Sequence, residues 1–324
     1  MSTKHFSVET IPSGVEHVFN ETVPSKKMGD GVYWKQGNFY FNGEKRVATV
    51  TDVKFVSDTI LVVAHRAAAK LYLIELKNDA MNVLDTISLE FNHWGIRHWG
   101  KKYFHPDLIA LHKNSVYMSE YSNRCCIVDI IDNKFIFNNV LRFKGPACHG
   151  CFSKDDSVLF GAVKNGTITI FDDTTKKFSF FDTDIADKTK RIKTIGMDGN
   201  NFVLGLDNNI KSADNRKIGG DSWVNLYECK NNKFLELDSL RLSNTQIDGH
   251  TSYKNFHFIT MHDGDNKCGV IVILKVSNNK IDIIRKVKCE SFPHGIDIYN
   301  DQLVYSSYTN SSITSHPLRD FLAI

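Results

Sequence analysis

Two stretches of the chain share one frame, and that frame constrains the fold more than any other feature. Cys148-His-Gly-Cys-Phe-Ser-Lys-Asp-Asp-Ser-Val-Leu-Phe160 and Pro293-His-Gly-Ile-Asp-Ile-Tyr-Asn-Asp-Gln-Leu-Val-Tyr305 each read as a strand opening at a histidine, a polar turn, and a second strand of β-rich residues. In both, the histidine (His149, His294) stands eight residues before the residue that opens the second strand (Ser157, Gln302). Four more second strands carry apolar runs, at Ile60-Leu61-Val62, Val116-Tyr117-Met118, Phe202-Val203-Leu204 and Phe256-His257-Phe258-Ile259. Stepping back eight residues from Thr59, Ser115, Asn201 and Phe256 reaches Thr51, Asp107, Lys193 and Asp248. The six unit starts are then 51, 107, 149, 193, 248 and 294, with steps of 56, 42, 44, 55 and 46.

A repeat of roughly 40–50 residues made only of strand and turn is the mark of a propeller blade. The expectation is therefore an all-β fold: a six-bladed β-propeller of four-stranded antiparallel blades, spanning 1–324 as one domain. One blade cannot bury its own faces, so the copies must stack. The copy after His294 has chain for only three strands. Residues 1–47 lie outside the repeat and contain a hairpin, Val32-Tyr-Trp-Lys-Gln-Gly-Asn-Phe-Tyr-Phe41, around Gln36-Gly37-Asn38. An outer strand drawn from about 33–43 would close the ring and leave no free edge. Seven blades is the alternative, since 1–47 is long enough to supply most of another. Third-to-fourth turns resemble one another as Asp132-Asn133-Lys134, Asn231-Asn232-Lys233 and Asn278-Asn279-Lys280, where Asn and Asp tolerate positive φ. Ala67-Ala68-Ala69 could be misread as the start of a helix, but the alternation of Thr167–Phe171 and Gly269–Leu274 in matching copies makes the following segment a strand.

Composition excludes several classes. With 40 Lys and Arg against 37 Asp and Glu, the net charge of +3 is too mild for a nucleic-acid partner. No apolar run is long enough to span a membrane, and the N-terminus lacks a signal core, so a cytoplasmic monomer is expected. Seven cysteines, two of them adjacent at Cys125 and Cys126, read as reduced thiols rather than a disulfide framework.

Two insertions break the period, residues 92–104 and 207–221. Insertions in repeat folds collect on one face, often the binding face. Both fall in loops that should overhang the mouth where the inner strands begin. The six starting residues, Thr51, Asp107, His149, Lys193, Asp248 and His294, should point into that mouth. All are polar and five are ionisable, which reads either as the wet lining of a channel or as a site. Residues ending the second strands should approach the same opening: His65 with Arg66, Glu120, Asp207, His262 and Tyr308, with Arg124 nearby. The insertion His93-Trp-Gly-Ile-Arg-His-Trp-Gly-Lys-Lys102 adds Arg97 and Trp99, an indole to stack on a ring and a guanidinium to hold an anion.

Imidazoles beside carboxylates suit general acid–base chemistry. They also suit a divalent zinc, manganese or iron ion, with His149 and His294 as ligands. Cys148-x-x-Cys151 has redox or zinc-site spacing, yet residues three apart in a regular strand face opposite sides. No phosphate loop, dinucleotide fingerprint or Gly-x-Ser-x-Gly elbow occurs.

The motifs Pro293-His-Gly-Ile-Asp297 and Cys148-His-Gly-Cys-Phe152 resemble the NHL-like, gluconolactonase-like and virginiamycin B lyase-like propellers, over about 270 residues as a repeat pattern. That resemblance implies a channel-mouth site in which His149 and His294 act as metal ligands or acid–base groups. The gluconolactonase ligand set of acidic and asparagine residues is missing, as are the Trp-Asp and kelch signatures. The leading expectation is an enzyme, a lyase, hydrolase or isomerase, acting on a small polar anionic substrate such as a sugar or phosphorylated compound. His149 and His294 would carry the chemistry and face each other across the channel, with Asp107 and Asp248 orienting them. Lys193 would neutralise developing charge. His65, Arg66, Arg97, Trp99, Glu120, Arg124, His262 and Tyr308 would contact substrate. The alternative is a non-catalytic propeller that binds a protein or glycan on the same face.

Overall fold

A computed structural model describes residues 7–20, 50–90, 103–120, 122–142, 144–145, 147–162, 166–183, 185, 190–208, 220–230, 233–266, 268–289, 292–307 and 310–322. Within 26–46 it gives the backbone pairing of four strands. Six antiparallel sheets form the blades, with inner strands Val50–Phe55, Ile109–His112, Cys148–Lys154, Lys190–Asp198, Thr245–Tyr253 and Pro293–Tyr299. Each inner strand packs beside the next, and the sixth beside the first. Backbone and side chain seal that last junction: Lys54 Nζ donates to Ile296 O at 2.7 Å and the Phe55 amide to Asp297 Oδ2 at 2.8 Å. The propeller therefore has six blades. The one helical element among the described residues is a 3-10 turn, Leu318–Asp320.

The closing strand comes from the N-terminal region, but not from 33–43. Val15–Val18 pairs antiparallel with Ser312–Pro317 and supplies the missing outer strand of the sixth blade. Val8–Glu9 adds in parallel to the outer edge of the fifth. The expected hairpin does form, with Val32 opposite Phe41, but it joins Lys26–Lys27 and Glu44–Arg46 in a separate four-stranded sheet. The ring had no vacancy left for it, since strand 15–18 already occupies the edge.

Period-two alternation explains the packing. In the second strand of blade one, Leu61 and Val63 enter the cluster shared with blade six, while Val62 and Ala64 enter the one shared with blade two. Blade three repeats this, with Leu159 facing blade four and Val158 and Phe160 facing blade two. Six apolar clusters result, one per blade junction. Fully burying one such side chain stabilises the fold by ~1.5–3 kcal/mol. The strands are apolar on both faces because each sheet is sandwiched between two others.

The turns behave as their residues suggest. Asp132 and Asn133 take φ of 50° and 58°, and Asn278 and Asn279 take 52° and 58°, the paired left-handed geometry of a tight hairpin. Asn231 and Asn232 lie outside the described residues. Ala67–Ala69 is a turn, and Lys70–Lys77 is the third strand.

Candidate functional site

Five of the six inner strands carry a β-bulge at one place. The register slips between Val50 and Asp52, Cys148 and Cys151, Ile192 and Thr194, Ile247 and His250, and Pro293 and Ile296. An extra residue in one strand re-aims its side chain. The re-aimed residues are those at the repeat starts: Thr51, His149, Lys193, Asp248 and His294. Asp107 stands just before the remaining inner strand, Ile109–His112 of the second blade, and reaches the same point.

These side chains meet on the axis and touch in blade order. Thr51 Oγ1 donates to Pro106 O at 3.1 Å, and Arg66 Nη1 lies 2.9 Å from Asp107 Oδ1. Asp107 Oδ2 is 2.9 Å from His149 Nε2, which is 2.9 Å from Lys193 Nζ. Lys193 Nζ is 2.7 Å from Asp248 Oδ1, which lies 3.6 Å from His294 Nε2. His294 Nδ1 donates to Thr51 O at 2.7 Å and closes the circuit. His149 and His294 do face each other, with ring centroids 6.1 Å apart.

The expected wet mouth is not what the fold builds. Thr51, Asp107 and His149 are fully buried, and Lys193, Asp248 and His294 are 2%, 1% and 4% exposed. Six blades bring their inner strands close enough that the re-aimed side chains fill the axis themselves. Burial pushes the Asp107 carboxyl up, but Arg66 and His149 outweigh it and hold it well below the usual range. Asp248 is likewise lowered, burial being outweighed by Lys193. Burial, reinforced by Lys193, lowers His149 and favours its neutral form.

Several contributors escaped sequence reasoning. Ser119, Thr260 and Ser306 stand twelve residues after Asp107, Asp248 and His294 and tie each blade to the next. Ser119 Oγ donates to His149 O, Thr260 Oγ1 to His294 O, and Ser306 Oγ to Thr51 O at 3.0 Å. The Gly249 and Gly295 amides donate to Thr260 and Ser306, each at 2.7 Å. A Cβ on Gly249 would overlap the His294 carbonyl, so the glycine after the ring residue is a requirement of close approach. Asp52 was also missed. It is 2% exposed, accepts from the Val53 and Ile109 amides at 2.8 Å each, and is pushed up by burial to about 6. A hydroxyl recurring twelve residues after the start was the available signal.

The expected substrate contacts divide. Arg66 is held by Asp107, and Glu120 pairs with Arg124, whose guanidinium lies over Phe104, 5.9 Å from the ring centroid. His65 Nδ1 accepts from the Ala68 amide at 3.1 Å, and its Nε2 is 3.2 Å from Ser311 Oγ. Asp207 accepts from Arg191 Nη2 at 2.8 Å. His262 packs edge-on against Phe292, 4.7 Å between centroids, and is lowered chiefly by burial. These groups brace the mouth. Arg97, Trp99 and Tyr308 lie outside the described residues. So do most of both insertions; their described ends, at 103–104, 207–208 and 220–221, sit at the ring's end of the blades.

Cys148 and Cys151 correct the parity argument. The bulge between them reverses the alternation, and both enter one cluster between blades two and three. Burial pushes Cys148 up to about 12 and Cys151 well above the ordinary thiol range, so neither is a ready thiolate. A different set can hold a metal: ligand atoms of Asp107, His149 and His294 all lie within 4.8 Å of one another.

No protein-family model matches the chain, and no curated protein matches it. Solved structures do. "Structure of U3-55K" aligns at 10% identity and TM-score 0.55, over 84% of this chain and 96% of that one. "Crystal structure of RRP9 WD40 repeats" aligns at 9% identity and TM-score 0.55, over 95% and 100%. A chain of "Crystal Structure of Mitotic Checkpoint Complex" aligns at 11% identity and TM-score 0.55, over 98% of each. At such identities the likeness establishes the β-propeller fold alone. It also shows that a chain without Trp-Asp repeats can share the architecture of chains named for them. No helix among the described residues is long and apolar enough to cross a membrane.

Proposed function

We propose that the protein is a non-catalytic propeller whose ring end docks an acidic protein surface. The observation that carries this is the sealed axis. A general acid or base must reach its substrate, and the ring's titratable groups are instead buried and turned on one another. Several cations remain partly exposed at the ring end. Arg66 and Arg191 remain 15% and 20% exposed, and Lys190 stacks over Trp223 at 3.9 Å. The insertion 92–104 adds Arg97, Lys101 and Lys102 with no carboxylate. Among proteins of similar fold, one is named for a multi-protein complex, which agrees with a scaffold role.

The enzymatic reading of the same ring keeps one argument, the convergence of His149 and His294 at 6.1 Å. It would make them the acid–base pair of a lyase, hydrolase or isomerase acting on a small anion.

Cross-linking of the full chain in its native cells, followed by peptide mapping, separates the two. Partner links are expected in 92–102 and 209–219, and should vanish when 92–102 is replaced by a Gly-Ser linker. Links confined to Lys113, Lys154 and Lys176 at the other end would overturn the docking face. Turnover of a small anionic substrate that is lost in His149→Ala and His294→Ala would overturn the non-catalytic reading.

A further inference from the structure

The N-terminal and C-terminal segments enclose a cavity at the outer rim, away from the axis. Val8–Glu9 runs along the outer edge of the fifth blade and Val15–Val18 along that of the sixth, so residues 10–14 cross from one blade to the other. Pro12 sits in the middle of that crossover, where it fixes φ and brings no amide that would need a partner. Ile11 anchors the crossover by packing on the apolar cluster shared by the two blades. After the last strand, the 3-10 turn Leu318–Asp320 folds back, and Leu318, Phe321 and Leu322 enter the same cluster. Arg285, in the fifth blade's outer strand Lys280–Cys289, pins both segments. Its Nε donates to Glu9 Oε2 at 2.7 Å, and its Nη1 to the carbonyls of Asp320 and Phe321 at 2.8 and 3.0 Å. Beneath the crossover a cavity of about 370 Å³ remains unfilled.

Its lining is graded from floor to mouth. Tyr305, His316 and Phe321 are buried and form the floor. Tyr305 stacks on His316 with centroids 5.8 Å apart at 20°, and Phe321 stands edge-on to His316 at 5.3 Å and 88°. These are the two favoured arrangements of ring pairs, so the floor is already ordered before any guest arrives. At the mouth, Thr10, Ser13 and Lys288 are exposed. The described lining holds the Lys288 ammonium and no carboxylate.

We propose that this cavity binds a small planar aromatic acid, its ring against Tyr305, His316 and Phe321 and its carboxylate at Lys288. The Thr10 and Ser13 hydroxyls are the neutral donors beside that carboxylate. Ligand pockets run from roughly 300 Å³ upward and combine apolar and aromatic walls with a few polar groups. This cavity therefore has room for an acid of one or two rings. A cationic guest would meet Lys288 as a like charge, and a neutral arene would leave the mouth's charge unused. The site is independent of the docking face, since none of its residues belongs to the axial ring.

The test is calorimetric titration of the full-length protein with 2-naphthoate and, separately, with 2-naphthamide, the same ring system without the charge. One naphthoate per chain is expected, with Kd below ~1 mM. The amide should bind at least ~5-fold more weakly, the scale of an exposed ion pair. Lys288→Glu reverses the charge at the mouth and should weaken naphthoate by ~5-fold or more while leaving the amide unchanged. Ser13→Trp sets an indole at the mouth and should abolish binding of both. Failure of the wild-type protein to bind naphthoate would make the cavity a packing gap and overturn the proposal. Equal affinity for acid and amide, or naphthoate binding untouched by either substitution, would overturn it as well. Both substitutions are at exposed positions and are checked for folding by circular dichroism; if either variant unfolds, the wild-type comparison of acid with amide still decides.

Discussion

The protein buries two pairs of imidazoles, and they live in opposite surroundings. His149 and His294 stand among two carboxylates and two cations, each ring fixed by a carbonyl. His250 and His257 lie within blade five against blade four and are stacked 5.2 Å apart at 10°, sharing one N···N contact of 3.0 Å. Asp198 lies 3.9 Å from His257 Nε2, and the Lys54 charge and the Ile195 backbone act on His250. Burial, with His257 adding, lowers His250 to about 3, and burial lowers His257 to about 4. Gly196 makes the second pair possible, because a Cβ there would overlap the His250 ring. Burial alone therefore says little about a histidine. The ring pair is set among paired charges, whereas burial holds the stacked pair neutral.

The largest expected effect tests the ring as a coupled circuit. Lys193→Met leaves Asp248 ionised and buried without its partner, and should cost ~3–5 kcal/mol in denaturant unfolding. Adding Asp248→Asn should recover most of that loss. A double variant no more stable than the single one would show that the two charges are not coupled.

Acid distinguishes the stacked pair. Both folded-state values lie below the unfolded ~6.5, so the native state binds fewer protons than the unfolded chain. This contribution is fully present above ~6.5 and is lost as pH falls toward the folded values of about 4 and about 3. Each imidazole makes stability fall by up to ~1.4 kcal/mol per pH unit in that window. His257→Leu should flatten the stability–pH curve between ~6 and ~4 relative to wild type. An unchanged slope would mean that the pair does not govern acid sensitivity.

Gly249→Ala places a methyl group against the His294 carbonyl, and should cost ~1–3 kcal/mol. The same change at Gly199, where nothing lies within 4 Å, would strain only its positive φ of 57° and serves as the control. The smallest effect belongs to Ser306→Ala, which removes the hydroxyl that the Gly295 amide donates to and should cost ~1 kcal/mol. If thermal denaturation shows the serine change to be as costly as the Lys193 change, hydrogen bonding rather than charge holds the ring together.

Much of this was written in the sequence. The eight-residue frame placed six inner strands, because a strand, a tight turn and a return strand have nearly fixed lengths, and the apolar runs mark both faces of a sandwiched sheet. The same frame picked out all six axial side chains, the five that bulges re-aim and Asp107, which the chain brings in before its strand, and His149 and His294 proved to be opposite each other. The closing strand was assigned to the wrong N-terminal segment. Val15–Val18 and Asn38–Phe41 are both plausible strands locally, and only the geometry of the sixth blade's edge selects between them. Cys148 and Cys151 were put on opposite faces because alternation holds only for a regular strand, and the bulge is a tertiary response to the neighbouring blade. The openness of the mouth was likewise beyond local patterning. Whether six polar side chains line a wet channel or close on one another depends on the distance between strands that are up to 243 residues apart in sequence, such as those of Thr51 and His294. Blade number and packing set that distance, and they converted a row of titratable residues into a buried, charge-balanced ring.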